Sequence, residues 1–135
     1  MKYLVDANVL SEPTKQAPSG KVVDWLSATE PDLFVDPIIL GELRIGVLAL
    51  PPGRKRRKLE AWFGTLVQTV QCVAWDAKVS GRWARLVVDL KRKGQVMPLL
   101  DGMIAATALE YEFTVATRNT RDFAKAGVKV FDPFA

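Results

Sequence analysis

Short apolar segments alternate along this chain with longer segments of helical periodicity, and this alternation restricts the fold more than any other feature. The apolar segments are continuous rather than alternating in polarity, which is typical of strands buried on both faces of a parallel sheet. Strands joined through helices require right-handed crossovers, which place helices on both faces of the sheet. The sequence therefore predicts an α/β fold of three layers, with a short, mostly parallel sheet flanked by helices.

Capping and breaking residues set the boundaries of these segments. Ser19 is placed to cap a helix and Gly94 to end one, and Pro51-Pro52-Gly53 separates two others. The predicted strands are 2–5, 33–35, 70–75, 113–117 and 128–131. The predicted helices are 21–28, 38–50, 54–69, 76–93, a helix from Pro98 to about 111, and a short turn at 122–124.

The length of 135 residues is enough for one domain with its own core, and we expect a single domain over 1–135. Asp6 follows the start too closely for a signal peptide. No segment reaches the roughly 18 continuous apolar residues that a membrane span needs. We therefore expect a cytoplasmic protein with no membrane partner.

The chain has one cysteine, Cys72, and no histidine. The absence of histidine excludes Ser–His–Asp hydrolysis, histidine-based ribonuclease chemistry and histidine metal sites. A single cysteine cannot form an internal disulfide, and we expect Cys72 to be a small buried side chain. If the protein is a hydrolase, carboxylates with a hard metal ion are the leading chemistry that remains.

Three acids stand in apolar surroundings. Asp6 ends the first predicted strand, and Glu42 and Asp101 lie within strongly apolar segments. Because an uncompensated buried charge is costly, something must compensate these carboxylates. Asp122 follows the fourth predicted strand, at the sheet edge where ligands bind in such folds. One divalent cation would compensate all four, which makes them candidate catalytic and metal-binding residues.

Each acid could instead have a separate structural role. Asp6 could accept backbone N–H bonds, Asp101 could be stabilised by a helix dipole, and Glu42 could pair with Arg44. Two other enzyme classes with acids at strand ends fit less well. A phosphoryl-accepting receiver domain needs an acidic pair and a late lysine, and a haloacid-dehalogenase-type phosphatase needs a second aspartate where Asn8 stands. A catalytically idle module that binds RNA or a partner is the non-enzyme alternative.

Four motifs follow one another in order over nearly the whole chain. They are Leu-Val-Asp-Ala-Asn-Val-Leu-Ser-Glu at 4–12, Leu-Gly-Glu-Leu-Arg-Ile-Gly at 40–46, Asp-Gly-Met-Ile-Ala-Ala-Thr-Ala at 101–108, and Thr-Arg-Asn-Thr-Arg-Asp-Phe at 117–123. With these motifs the chain resembles the PIN-domain ribonucleases, and among them the VapC-type toxins of toxin–antitoxin pairs.

This resemblance implies a PIN-like fold and a metal-dependent endoribonuclease that hydrolyses RNA phosphodiesters with Mg2+ or Mn2+. The residues that match the acidic site of the family are Asp6, Glu42, Asp101 and Asp122. The residues that match supporting polar positions are Asn8, Thr117 and Asn119. The resemblance also implies the toxin of a type II pair, a homodimer whose partner is a small cognate antitoxin.

The chain departs from the family pattern at a few positions. Asn119 stands where some relatives have another acid, and Asp36-Pro37 stands where many have small hydroxyl residues. Gly102 replaces a commoner alanine, and Glu112 falls where relatives often have histidine or glycine. None of these departures removes an acid of the predicted centre.

Lysine and arginine number 19 against 15 acids, a formal net charge of +4. Five of the basic residues stand together at the start of a predicted helix, namely Arg54, Lys55, Arg56, Arg57 and Lys58. A run of this kind is most often a solvated face or a partner contact, and it is otherwise a set of RNA phosphate contacts. Helix stability does not explain the run, because cations disfavour a helix N-terminus.

Overall fold

The structure, a computed structural model that describes residues 1–135, is a five-stranded parallel sheet connected by seven α-helices. The strands are β1 (Tyr3–Val5), β2 (Leu33–Val35), β3 (Gln71–Cys72), β4 (Thr114–Ala116) and β5 (Val130–Phe131). The helices are α1 (Ala7–Leu10), α2 (Gly20–Thr29), α3 (Pro37–Leu48), α4 (Arg54–Thr69), α5 (Ala77–Arg92), α6 (Leu99–Tyr111) and α7 (Thr120–Ala124). Short 3-10 turns cover Glu12–Thr14 and Glu30–Asp32.

The strand order is β3-β2-β1-β4-β5, and every pair of neighbours is parallel. Tyr3 of the central strand lies opposite Leu33 on one side and Thr114 on the other. The chain first builds the sheet outward from β1 to β3 and then crosses back to start β4, so the strand order reverses between β1 and β4. Right-handed connections of this kind place helices on both faces. The predicted three-layer α/β fold is confirmed.

The core is formed by the strand side chains and the inward faces of the helices. Its fully buried members include Leu4, Val5, Val9, Val22, Val35, Ile39, Ile104, Val115 and Phe123. Burial of aliphatic side chains at this density is the main favourable contribution to folding. It also fixes the carboxyl ends of β1 and β4, and the helices α3 and α6, relative to one another.

Most predicted boundaries lie within two or three residues of the observed ones. The Ser19 hydroxyl caps α2 through the Val22 N–H, and Gly94 has the positive φ of 68° that favours glycine after a helix. Two features differ. The strand predicted over 70–75 is only the two residues of β3. The short helix α1 was not predicted, because four residues cannot display a helical period.

The expectation that Cys72 is buried is wrong. Cys72 is exposed, since β3 is a two-residue strand at the edge of the sheet and lacks a second neighbour. None of the helices combines the length and the apolar character needed to cross a membrane.

Candidate metal centre

The strand-order reversal between β1 and β4 brings two polar side chains together at the carboxyl edge of the sheet. Asp6 follows β1 and Thr117 follows β4, and the Thr117 Oγ1 hydroxyl donates to Asp6 Oδ2 at 2.7 Å. Clefts at such reversal points are where open parallel sheets bind ligands. The candidate centre is therefore built around Asp6.

Asp6 is buried, with 5% of its surface exposed, yet both of its oxygens have donors. Oδ1 accepts the Ala7 N–H at 2.9 Å, which caps α1, and Oδ2 accepts the Thr117 hydroxyl and the Asn8 amide, the latter at 3.3 Å. Burial raises the pKa of Asp6, and the bonds from Thr117 and Ala7 partly oppose this. These donors hold the carboxylate in one orientation.

Glu42 lies in α3 and is half-buried, but its Oε1 atom is shielded from solvent and has no hydrogen-bond partner. Burial, followed by the charges of Asp6, Asp101 and Asp36, raises the pKa of Glu42 to about 7. The alternative pairing with Arg44 is wrong. The Arg44 guanidinium lies 3.8 Å from Glu60 instead.

Asp101 lies in the first turn of α6 and is half-buried. Burial, followed by the charges of Asp6 and Asp122, raises its pKa to about 6, while a hydrogen bond from Asn119 acts in the opposite direction. Two carboxyl groups of this centre, Glu42 and Asp101, thus hold protons more tightly than free side chains do. An additional positive charge near them would favour their ionised forms.

Asn119 connects the remaining acids. Its Nδ2 atom donates to Asp101 Oδ2 at 3.1 Å and to Asp122 Oδ2 at 3.0 Å, and its backbone N–H donates to Thr117 Oγ1 at 2.9 Å. Asp122 also pairs with Lys125 at 3.2 Å. The bonds from Asn119 and Lys125 lower the pKa of Asp122. Asp122 is therefore already compensated, unlike Glu42.

Asn8 also lies at the centre. Its side chain donates to Asp6, and its Oδ1 atom accepts the Arg118 N–H at 3.2 Å. Asn8 therefore joins the end of β1 to the segment after β4. The structure brings together all seven residues to which the resemblance assigns the acidic site and its polar support.

A fifth acid, Asp36, was not among the predicted site residues. It is fully buried, caps α3 through the Ile39 N–H at 2.9 Å, and accepts the Thr107 hydroxyl at 2.6 Å. Burial raises its pKa, and its charge acts on Glu42. The sequence signal was available in the Asp36-Pro37 pair, since aspartate followed by proline is typical of a helix start.

The five basic residues at the start of α4 have different environments. Arg56 is engaged, with Nε 3.3 Å from Glu60 Oε1 and Nη1 3.4 Å from the Leu50 carbonyl oxygen. The other four side chains, Arg54, Lys55, Arg57 and Lys58, are exposed and form no ion pair. Only these four are free to contact an anion.

The donor set fits a hard, hydrated divalent cation. No group of three or more acidic side chains is arranged to hold a metal ion by itself. Mg2+ does not need one, because it retains several waters and commonly uses only one or two carboxylates. The unpartnered Glu42 Oε1 atom and the raised pKa values of Glu42 and Asp101 indicate negative charge that this chain leaves uncompensated. The carboxylates therefore suit a metal held partly through water.

Known proteins resemble this chain over nearly its whole length. The toxin FitB of Neisseria gonorrhoeae is 36% identical over 135 residues, an alignment covering 97% of each chain. The VapC ribonuclease Y4jK of Sinorhizobium fredii is 34% identical over 138 residues, covering 97% of this chain and 96% of the relative.

The fold gives the same result. A solved structure of FitAB bound to an IR36 DNA fragment superposes with a TM-score of 0.90 at 34% identity, covering 98% of this chain and 96% of that chain. The family model described as PIN domain matches residues 3–129. Since that match takes in all five carboxylates and every strand but the last, the chain belongs to the PIN-domain family.

Proposed function

We propose that this chain is a metal-dependent endoribonuclease and the toxin of a type II toxin–antitoxin pair. The observation that carries the proposal is the meeting of Asp6, Glu42 and Asp101 at the strand-order reversal, where burial and the charge of Asp6 raise the pKa of the other two. Carboxylates gathered in this way are the usual means of placing a hard metal ion beside a phosphate. The similarity to a VapC ribonuclease and to the toxin FitB supports the same activity.

In this proposal Asp6, Glu42, Asp101 and Asp122 hold Mg2+ or Mn2+. A bound divalent cation supplies Lewis acidity toward the phosphate and lowers the pKa of a bound water. The protein contributes orientation. Thr117 and the Ala7 N–H fix the Asp6 carboxylate, and Asn119 fixes Asp101 and Asp122 relative to each other.

Proton release is a second task of the protein. Glu42 and Asp101, with pKa values of about 7 and about 6, have to be ionised in order to act as ligands. A site of this kind assembles in full only near neutral pH and with the cation present. We therefore propose that the open arrangement of the carboxylates is the metal-free state of the centre.

The partners in this proposal are RNA as substrate, a second copy of the chain, and a small cognate antitoxin. The likeness to FitB, which is named a toxin, and to the FitAB structure supports such a pair. A net charge of +4 is compatible with an anionic substrate once a specific site is attached to it.

RNA cleavage by purified protein tests the proposal. Wild type is expected to cleave single-stranded RNA with Mg2+ or Mn2+ and to stop in EDTA. Asp6→Asn and Asp101→Asn are expected to reduce cleavage to background without loss of the fold, because neutralising one acid relieves repulsion among the others. Asp89→Asn is the matched control, since Asp89 is an exposed acid on α5 whose side chain has no ion pair.

Full activity in either Asn variant of the centre would contradict the site. Wild-type protein that binds RNA but never cleaves it, with either metal, would contradict the enzyme and favour the catalytically idle module. Melting curves recorded on the same preparations show whether any loss of activity comes from unfolding.

A further inference from the structure

A groove of about 210 Å3 leads from the candidate metal centre to α4. It is lined by Asn8 and Glu42 of the centre and by Leu59 and Trp62 of α4. Gly46 also lines it and leaves its side of the groove without a side chain. The centre and the first turns of α4 therefore share one continuous concave surface.

Two of the basic residues of α4 lie on the side of the helix that lines this groove. Residues four apart lie on the same face of an α-helix. Lys55 precedes Leu59 by four residues, and Lys58 precedes Trp62 by four. Both lysines are exposed and neither has an ion pair. The groove face of α4 thus has two free cations at its N-terminal end, followed by an aromatic ring.

The rest of the basic run is placed differently. At about 100° per residue, Arg57 is roughly 140° around the helix from Trp62. Arg56 is engaged with Glu60 and the Leu50 carbonyl oxygen. The run therefore divides into a groove face, with Lys55 and Lys58, and an outer face that includes Arg57.

We propose that the groove receives the RNA strand on one side of the scissile phosphate, with Lys55 and Lys58 neutralising its phosphates and Trp62 packing against a base. This inference rests on the proposed function and names the part of the protein that holds the substrate. A polyanion that approaches a cluster of carboxylates is repelled, and flanking cations offset that repulsion. Cations combined with an aromatic side chain are the usual means of binding single-stranded nucleic acid without reading its sequence.

Fluorescence anisotropy with a labelled single-stranded oligouridylate tests this assignment. The titrations are done in EDTA, where no cleavage proceeds, at several NaCl concentrations. Lys58→Gln and Arg57→Gln are the matched pair, because adjacent residues lose the same charge from different faces. Lys55→Gln/Lys58→Gln is expected to bind about tenfold more weakly, and its log–log salt dependence to flatten by about 0.7 per lysine. Arg57→Gln is expected to change the affinity less than about twofold.

Trp62 is tested separately, because stacking does not depend on counterion release. Trp62→Leu is expected to weaken binding about tenfold with an unchanged salt dependence, and Trp62→Phe to retain most of the affinity. Loss of the fold would not explain a defect in the lysine variants. Removing cations from a helix N-terminus relieves an unfavourable interaction with the helix dipole, so their Tm should not fall.

Equal weakening by Lys58→Gln and Arg57→Gln would overturn the proposal, since it would indicate general attraction by a basic surface. Unchanged RNA affinity in the double lysine variant would also overturn it and would favour a protein partner on this face. Failure of the wild type to cleave RNA with any metal refutes the proposed function itself. Wild-type cleavage together with normal binding by the lysine variants refutes only the groove.

Discussion

The Thr107 Oγ1 hydroxyl donates a hydrogen bond of 2.6 Å to Asp36 Oδ2, and both side chains are fully buried. Asp36 caps α3, and Thr107 belongs to α6. This one bond therefore joins the two helices that carry Glu42 and Asp101. A buried polar pair of this kind stabilises the fold only while each partner keeps the other satisfied.

Thr107→Val keeps the shape of the side chain and removes its hydroxyl. We expect it to lower the free energy of unfolding by about 1 to 3 kcal/mol, because the Asp36 carboxylate loses a donor in a site that water does not reach. Thr107→Ser keeps the hydroxyl and is expected to lose less. Urea unfolding measures both variants. A Thr107→Val protein as stable as the wild type would show that this bond does not hold the helices together.

Glu42 makes the stability of the metal-free protein depend on pH. Its pKa is about 7 in the folded protein against an ordinary value of 4.5, so the folded state binds this proton more tightly than the unfolded state does. Stability therefore falls as pH rises from about 4.5 to about 7 and stays lower above that. Asp101 contributes with the same sign over a lower range, since its pKa rises from 3.8 to about 6.

Glu42→Gln removes the charge that causes this loss. In EDTA at pH 8 we expect the variant to be more stable than the wild type by the order of 1 to 2 kcal/mol, with solvent screening of a half-exposed group allowed for. At pH 5 the two proteins should melt together, because Glu42 is then protonated. Thermal melting across this range checks the prediction, with the exposed Glu112→Gln as control. Parallel pH curves for wild type and Glu42→Gln would contradict it.

The α/β fold could be predicted because its signals are local. Ser19 and Gly94 have capping roles that follow from their own chemistry, and apolar segments report burial directly. The length of each strand could not be predicted in the same way. β3 ends after Cys72 because it is an edge strand, and a strand's place in the sheet depends on pairings between distant segments.

The acids of the centre could be predicted because each carboxylate is out of place in an apolar segment. Asp36 was missed because it ends an apolar strand and precedes Pro37, where it is explained by a turn or a helix cap. Its burial depends on Thr107, which is 71 residues away. The role of Asn119 as a bridge between Asp101 and Asp122 is likewise a product of the folded chain.

Asp122→Asn is expected to impair cleavage less than Asp6→Asn. Asp6 is buried at the middle of the centre, whereas Asp122 is half-buried and already paired with Lys125 and Asn119. An asparagine at 122 also keeps an oxygen that could ligate a metal or bond to Asn119. Mn2+-dependent initial rates of the two variants decide the order. Equal losses would mean that Asp122 is as central as Asp6.

Divalent metal should stabilise the folded protein through the same carboxylates. The Glu42 Oε1 atom is shielded and unpartnered, and Glu42 and Asp101 have raised pKa values, so a cation at the centre relieves repulsion that exists only in the folded state. A ligand that binds only the folded state adds about 2.7 kcal/mol at 100 times its Kd. For a domain of this size that corresponds to a rise in Tm of about 10 °C.

The shift should be absent in the double variant Asp6→Asn/Asp101→Asn, which retains the surface charges but loses the centre. NaCl at equal ionic strength is the control, because screening acts on any charged protein whereas binding requires the site. A smaller shift with Mg2+ than with Mn2+ would agree with the reluctance of Mg2+ to give up its waters. If wild type and double variant respond alike to Mn2+, the acids do not share a metal. Each carboxylate would then be explained by the hydrogen bonds that it already has, and the unpartnered oxygen of Glu42 by the proton that its raised pKa retains.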